Sequence, residues 1–194
     1  MTTQEVRDIL ESSGAVRRGH FRLSSGLHSP VYMQCALLLQ HPEQAAALCQ
    51  ALAAPFTGDN IDSVAAPALG GVVFGYELAR QLSVRSIFVE RAGDGRFALR
   101  RGFAIDKGER VLVAEDVITT GGSTRETMEV IRALGGEVAG VAALVDRSGG
   151  AVNFGVRFET LLTEKVETFT EEDCPLCKDG MPVEKPGSRP SVKK

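Results

Sequence analysis

The run Val111-Leu112-Val113-Ala114-Glu115-Asp116-Val117-Ile118-Thr119-Thr120-Gly121-Gly122-Ser123-Thr124 constrains this chain more than any other stretch. A short apolar run opens it, as suits a strand buried on both faces of a parallel sheet. Two adjacent carboxylates close the strand, at the end where open α/β sheets place their ligands. A turn of hydroxyl residues and glycines follows, then Arg125 to Ile131, which reads as a helix. Glycines tolerate positive φ and let backbone amides approach an anion closely. Exposed N–H groups at a helix N-terminus form a phosphate cradle, and Thr119, Thr120, Ser123 and Thr124 add hydroxyl donors. No lysine follows the glycines, which excludes a nucleotide P-loop. The acid pair suits the vicinal diol of a ribose, or a hydrated Mg²⁺. Buried without either, such a pair would be costly, so an acidic turn with no ligand explains the run poorly. A site that holds a ribose by its diol and by its 5′-phosphate fits phosphoribosyl chemistry.

Four apolar residues, two acids, two apolar residues and a Thr/Gly/Ser loop resemble the PRPP-binding motif of the type I phosphoribosyltransferases. A second segment narrows the resemblance. Gly19 to Cys35 reads as strand, turn, strand, with Phe21 and Leu23, then Val31 and Met33, alternating with polar neighbours. Its Phe-x-Leu-x-Ser-Gly-x-x-Ser-Pro pattern, Phe21 to Pro30, resembles the N-terminal segment of the orotate phosphoribosyltransferases. There the segment lies over the orotate ring, and Tyr32 and Met33 stand where the family often carries two aromatics. A family lysine that contacts pyrophosphate is replaced here by Ser24.

The resemblance implies an α/β fold: a central parallel sheet with helices on both faces, plus a small N-terminal hood. It places a phosphoribosyltransferase domain over about 1–170, with a hood over about 1–40 and a core over about 41–170. A tail, 171–194, carries a CxxC pair. The first helix, opened by Thr2 and Glu5 at capping-box spacing, packs through Val6, Ile9 and Leu10. A second opens at His41-Pro42-Glu43.

Further binding elements follow in chain order. Ile61 to Ala66 reads as the first strand of the sheet, and Pro67-Ala68-Leu69-Gly70-Gly71 leads into a helix. In the family this turn is the pyrophosphate loop, often with a Tyr-Lys pair. Here Leu69 and Gly70 occupy those positions, so backbone amides of Leu69, Gly70 and Gly71 must do more of the binding. After a strand from Arg85 to Glu90 comes Arg91 to Phe103, rich in glycine and carrying Arg91, Arg96, Arg100 and Arg101. Its composition predicts a mobile hairpin or loop. The family's flexible catalytic loop lies here and closes over the neighbouring subunit's site, which implies a homodimer acting in trans. The family's lysines and histidine are absent, so Arg91 and Arg100 stand as catalytic candidates with Glu115 and Asp116. A solvated basic loop is the plainer alternative. Strand residues Val138 to Val145 end in Asp146-Arg147. The family has an arginine there for the orotate carboxylate, and a guanidinium matches a planar carboxylate.

The implied assignments are these. Arg91, Glu115, Asp116, Val117, Ile118, Thr119, Thr120, Gly121, Gly122 and Ser123 bind PRPP, and Thr119, Arg147 and Tyr32 bind orotate. Mg²⁺ arrives mainly through PRPP, with no metal held by the protein.

Cys174-Pro175-Leu176-Cys177 fits a zinc half-site, a redox pair or two plain thiols. A structural zinc needs four ligands. Along the sequence, Cys35, Cys49, His20, His28 and His41 show no matching pair, although two subunits could each supply one CxxC. Pro182 to Lys194 reads as extended or disordered. The tail and the arginine-rich loop resemble the Thermus-like branch of the family.

Composition bounds the rest. The chain has 194 residues, 43% hydrophobic and 24% charged, with net charge −3. These values suit one soluble domain and give no sign of nucleic acid as a partner. No apolar run is long enough to span a membrane, no signal peptide is evident, and four unpatterned cysteines fit a reducing cytoplasm. The function implied is transfer of phosphoribose from PRPP to orotate. The alternatives are the same chemistry on a purine or other base, or a PRPP-sensing regulator without catalysis.

Overall fold

The computed structural model of the chain describes residues 1–23 and 25–186. The first helix, α1 (Thr3–Ser12), opens on the capping box that the sequence predicts. The Glu5 N–H donates to the Thr2 hydroxyl at 3.2 Å, and the Thr2 N–H donates to the Glu5 carboxylate at 2.7 Å. Strands β1 (Val16–Arg22) and β2 (His28–Met33) then pair antiparallel as a sheet of their own. Their register shifts between Arg18 and Phe21, a bulge of the kind that re-aims side chains.

Short α2 (Ala36–Leu39) leads to α3 (Pro42–Ala53), which carries Pro42 at its first turn and buries Ala45, Leu48, Cys49 and Leu52. The main sheet is built next: β3 (Ser63–Pro67), α4 (Gly70–Leu82), β4 (Arg85–Arg91), β5 (Phe97–Leu99), β6 (Arg110–Ile118), α5 (Gly122–Ala133), β7 (Glu137–Asp146) and β8 (Phe158–Thr163). The strand order is β5-β4-β3-β6-β7-β8. Five strands run parallel, and β5 turns back antiparallel on β4. The central parallel sheet expected is present, with β5 added antiparallel at its edge. The 91–103 segment is a short hairpin, and a short turn can only return antiparallel.

The core fills both faces of the sheet. On one, α3 and α4 pack Leu48, Leu52, Phe74 and Leu78 against Val64, Ala66, Leu112 and Ala114. On the other, Met128 and Ile131 of α5 pack against Ala65, Val111, Val113 and Val141. Each such Val, Leu, Ile, Met or Phe side chain contributes about 1.5–3 kcal/mol by leaving water. Gly75 lets α4 lie close, because a Cβ there would come within 2.8 Å of the Ala66 Cβ.

Two features place the site. The parallel strands β3, β6 and β7 deliver Pro67, Ile118 and Asp146 to one rim. And α4 leaves β3 on one face while α5 leaves the adjacent β6 on the other, which makes the β3–β6 gap the switch point where open α/β sheets bind ligands.

The chain beyond β8 returns to the N-terminal hairpin instead of extending away. Phe169 pairs with His28 through both backbone hydrogen bonds, at 2.8 and 2.9 Å. After the single-turn helix α6 (Pro175–Lys178), Glu184 pairs along the opposite hairpin edge, bonding to His20 and Arg22. Residues 187–194, the end of the segment expected to be extended or disordered, lie outside the described residues.

Candidate active site

The acid pair sits at the end of β6. Glu115 is buried and Asp116 half-buried. Side chains alternate across a strand, yet the Glu115 side chain still makes a hydrogen bond with the Asp116 carboxyl. Asp116 lies beside the start of α4: a Cβ built on Gly70 would sit 3.3 Å from its carboxylate. The pyrophosphate-loop candidate Leu69-Gly70-Gly71 therefore meets the acid pair at the switch point, and Leu69 itself is 85% exposed on the rim. Burial raises the Asp116 carboxyl above its ordinary range, with the Val117 N–H pulling the other way. Among the described residues no lysine or arginine forms an ion pair with Asp116. A carboxylate held so is suited to a diol or a hydrated cation.

Glu115 lines a small cradle of about 70 Å³ together with Val117, Ile118, Thr119, Thr120, Gly121, Gly122, Ser123 and Thr124. It lies at the N-terminus of α5, where the first N–H groups have no helical acceptor. The volume is that of a single small anion. Gly121 makes the turn possible, with φ of +75° and a hypothetical Cβ only 2.8 Å from the Phe154 ring. The Thr124 hydroxyl is buried with no hydrogen-bond partner.

A larger cleft of about 550 Å³ adjoins the cradle and shares Val117, Thr119 and Thr120 with it. Asp116 and Arg147 line its floor, and Leu23, Ser25, Leu27, Tyr32 and Met33 of the hairpin cover it. Helix α1 takes no part in the lining and packs instead on β1 and β8. Ser24, the position of the family lysine, is outside the described residues. Arg147 is 9% exposed. Its Nη2 donates to the Val31 carbonyl at 3.3 Å, while its buried Nε–H has no partner. Asp146 sets its position by accepting from the Ser148 and Gly150 N–H groups at 2.8 and 2.9 Å. Burial lowers the Arg147 pKa, and burial followed by the Asp116 charge raises that of Tyr32, whose hydroxyl donates to Gln34 at 2.8 Å. A guanidinium that lines a cleft and keeps an unpartnered N–H is suited to a planar anion.

Two further linings, Val166 and Thr168, carry no sequence signal. The segment that follows β8 brings them in where it runs beside β2. Arg91 and Arg100 line neither cavity. Arg91 pairs with Glu126 on α5 and stacks over Phe97 at 3.9 Å. Arg100 and Arg101 pair with Glu90 at 3.6 and 2.9 Å. Of the hairpin or loop expected for 91–103, the structure shows a hairpin, held by its own chain's carboxylates.

The structure also brings together what the sequence left apart. His20, His28, Cys174 and Cys177 converge, with all four ligand atoms within 4.8 Å of one another. The linear spacing hides this grouping, because it needs both the hairpin and the tail's return.

Comparison with known proteins agrees with this geometry. The phosphoribosyl transferase domain family matches residues 38–154. The orotate phosphoribosyltransferase of Pelotomaculum thermopropionicum is 58% identical over 97% of this chain and 99% of its own. The chain belongs to the orotate phosphoribosyltransferase family. The crystal structure of the family's Aeropyrum pernix member superposes with a TM-score of 0.68 at 31% identity, covering 81% of this chain and 93% of that one. An adenine phosphoribosyltransferase from Thermoanaerobacter pseudethanolicus shares the fold, with a TM-score of 0.65 at 19% identity over 84% of this chain and 99% of that one. No helix among the described residues is long and apolar enough to cross a membrane.

Proposed function

We propose that the chain transfers the 5-phosphoribosyl group of PRPP to orotate, releasing pyrophosphate and forming orotidine 5′-monophosphate for pyrimidine synthesis. The observation that carries this reading is the cleft itself. It joins an acid pair and an anion cradle to a buried arginine with an unpartnered N–H, and the family's relatives bear the matching name.

The roles follow from position. The cradle of Thr119, Thr120, Gly121, Gly122 and Ser123 suits the 5′-phosphate, with Val117 and Ile118 holding its backbone. Asp116 and Glu115 suit the ribose hydroxyls. As the bond to pyrophosphate breaks, the sugar takes on oxocarbenium character, and a carboxylate fixed in a dry cleft stabilises that charge. Leu69, Gly70 and Gly71 offer backbone amides to the departing pyrophosphate. Arg147 receives the orotate carboxylate, and Thr119 and Tyr32 border the ring. Orotate attacks through N1, and no strong protein base is needed if it arrives as the anion. Mg²⁺ bound with PRPP would be held beside Asp116 and Glu115 and would neutralise charge on the leaving group. The acid pair fits such a hydrated ion.

A homodimer whose 91–103 hairpin reaches the neighbouring site completes the proposal. Arg91 and Arg100 would exchange Glu126 and Glu90 for pyrophosphate, a trade between exposed ion pairs that costs little. Mixing an Arg100→Ala, Arg101→Ala protein with an Asp116→Asn protein should restore activity in heterodimers. Heterodimers that form and stay inactive would remove the trans assignment.

Turnover of PRPP with orotate, adenine and hypoxanthine tests the whole reading. Orotate should be consumed and the purines left. Purine turnover would transfer the site to another base, and PRPP binding with no turnover on any base would indicate a regulator.

A further inference from the structure

We infer that His20, His28, Cys174 and Cys177 form a structural Zn²⁺ site that clamps the C-terminal tail onto the hairpin covering the base cleft. The four side chains come from three places in the chain. The bulge in β1 aims His20 inward, β2 begins at His28, and α6 carries Cys177 one turn after Cys174 at its N-cap. His20, His28 and Cys174 are all at most 3% exposed, and Cys177 is partly exposed. The thiols are free.

Three nitrogen–sulfur distances approach the edges of a tetrahedral ion, within a cluster whose ligand atoms all lie within 4.8 Å of one another. His20 Nε2 lies 3.5 Å from the Cys174 Sγ and 3.6 Å from the Cys177 Sγ, and His28 Nδ1 lies 3.2 Å from the Cys177 Sγ. Zinc with nitrogen at about 2.0–2.1 Å and sulfur at about 2.3 Å requires nitrogen–sulfur edges of about 3.5 Å. The two imidazole nitrogens are 2.8 Å apart and need to separate to about 3.3 Å for the same tetrahedron, a shift of side chains alone.

The proton positions also fit. His20 Nδ1 is 2.8 Å from the Met181 carbonyl, which can only accept. The proton is therefore on Nδ1, and the Nε2 lone pair points into the cluster. This carbonyl contact is the outer partner that metal-bound histidines need to fix their tautomer. Without a cation, both thiols and His28 crowd onto that one lone pair. With a cation, two thiolates and two neutral imidazoles each donate a pair, and the charges of two thiolates and Zn²⁺ cancel.

Mixed thiolate and imidazole donors select zinc over the harder Mg²⁺. Four protein ligands leave no open position, so the ion is structural and takes no part in group transfer. Its location explains the value of the clamp. The hairpin is a sheet of only two strands, marginal alone in water, yet it carries Tyr32, Leu23 and Leu27 over the cleft. The tail already pairs with both hairpin edges, and the ion would lock that arrangement.

The test uses the full chain. Protein purified without chelators should contain about one zinc per chain by elemental analysis, as four ligands at one centre require. Replacing zinc with Co²⁺ should produce the intense visible bands of tetrahedral cobalt with thiolate ligands. Cys177→Ser and His28→Ala should each lose the stoichiometric metal. Chelator should lower the wild-type melting temperature and expose both tail thiols to a thiol reagent. The inference is overturned if folded wild-type protein given Zn²⁺ binds none, leaves Cys174 and Cys177 equally reactive and shows no tetrahedral cobalt spectrum. Zinc retained in full by folded Cys177→Ser would overturn it equally. Should the variants fail to fold, the wild-type cobalt spectrum and thiol protection decide alone.

Discussion

The two halves of the cleft are built in opposite ways. The acid pair and the anion cradle come from one unbroken stretch, Glu115 to Thr124, mounted between a buried strand and a helix. The base side comes from Tyr32 on the hairpin, Arg147 after β7, and Val166 and Thr168 on the segment that follows β8. The first half is local and carried by the core of the sheet. The second depends on segments more than a hundred residues apart meeting correctly. Under the proposed reaction, the half assigned to the phosphoribosyl group is contiguous in the chain. The half assigned to the base is assembled from parts that can vary separately.

Perturbations of the two halves should therefore separate cleanly. The largest effect is expected from Asp116→Asn. Removing the charge opposite the cationic sugar should lower kcat about 10²–10³-fold, with an unchanged fold by circular dichroism. Near-normal turnover would break the assignment of the acid pair.

Glu109 offers a control outside both halves. It sits at the far end of the sheet, accepting from Ser63 at 2.5 Å and from Arg85 at 2.6 Å. Burial pushes its carboxyl up, but Arg85, Ser63 and the Asp106 N–H outweigh burial and hold it below the ordinary 4.5. A depressed acid stabilises the fold fully above its ordinary value and loses that contribution as pH falls through the folded value. Glu109→Gln should cost about 1–3 kcal/mol at neutral pH. The difference from wild type should shrink in melts taken below pH 4.5. Both KM values should stay the same, and a changed KM would mean that the far end of the sheet reaches the site.

A smaller effect is expected from Gly121→Ala. The left-handed turn and the Phe154 ring both oppose a Cβ. Stability should fall by at least about 1 kcal/mol, and the PRPP KM should rise while the preference for orotate over uracil holds. Loss of that preference would show that the halves are coupled.

The same contrast governs what the sequence discloses. Glu115 to Ser123 can be read directly because strand, acids, turn and helix N-terminus follow one another in the chain. The sheet follows from buried apolar runs such as Val111 to Ala114. Arg147 is visible only through resemblance, because nothing local marks it apart from an ordinary rim arginine. Val166 and Thr168 have no signal at all. The histidine–cysteine cluster escapes a linear search because His20 and His28 meet across a hairpin and the thiols arrive from the tail. Strand β5 was legible only as one of two readings: its glycine- and arginine-rich surroundings suit a hairpin or a loop, and pairing with β4 decides its conformation.

The division of labour is tested most directly by steady-state kinetics of Arg147→Ala, with orotate and PRPP varied in turn. Loss of a buried charged hydrogen bond to the carboxylate is worth about 1.5–3 kcal/mol. The account predicts an orotate KM raised about 10–100-fold, a PRPP KM changed less than about threefold, and a weakened preference for orotate over uracil. Equal rises in both KM values, with the preference intact, would contradict it and make Arg147 a structural residue of the cleft floor.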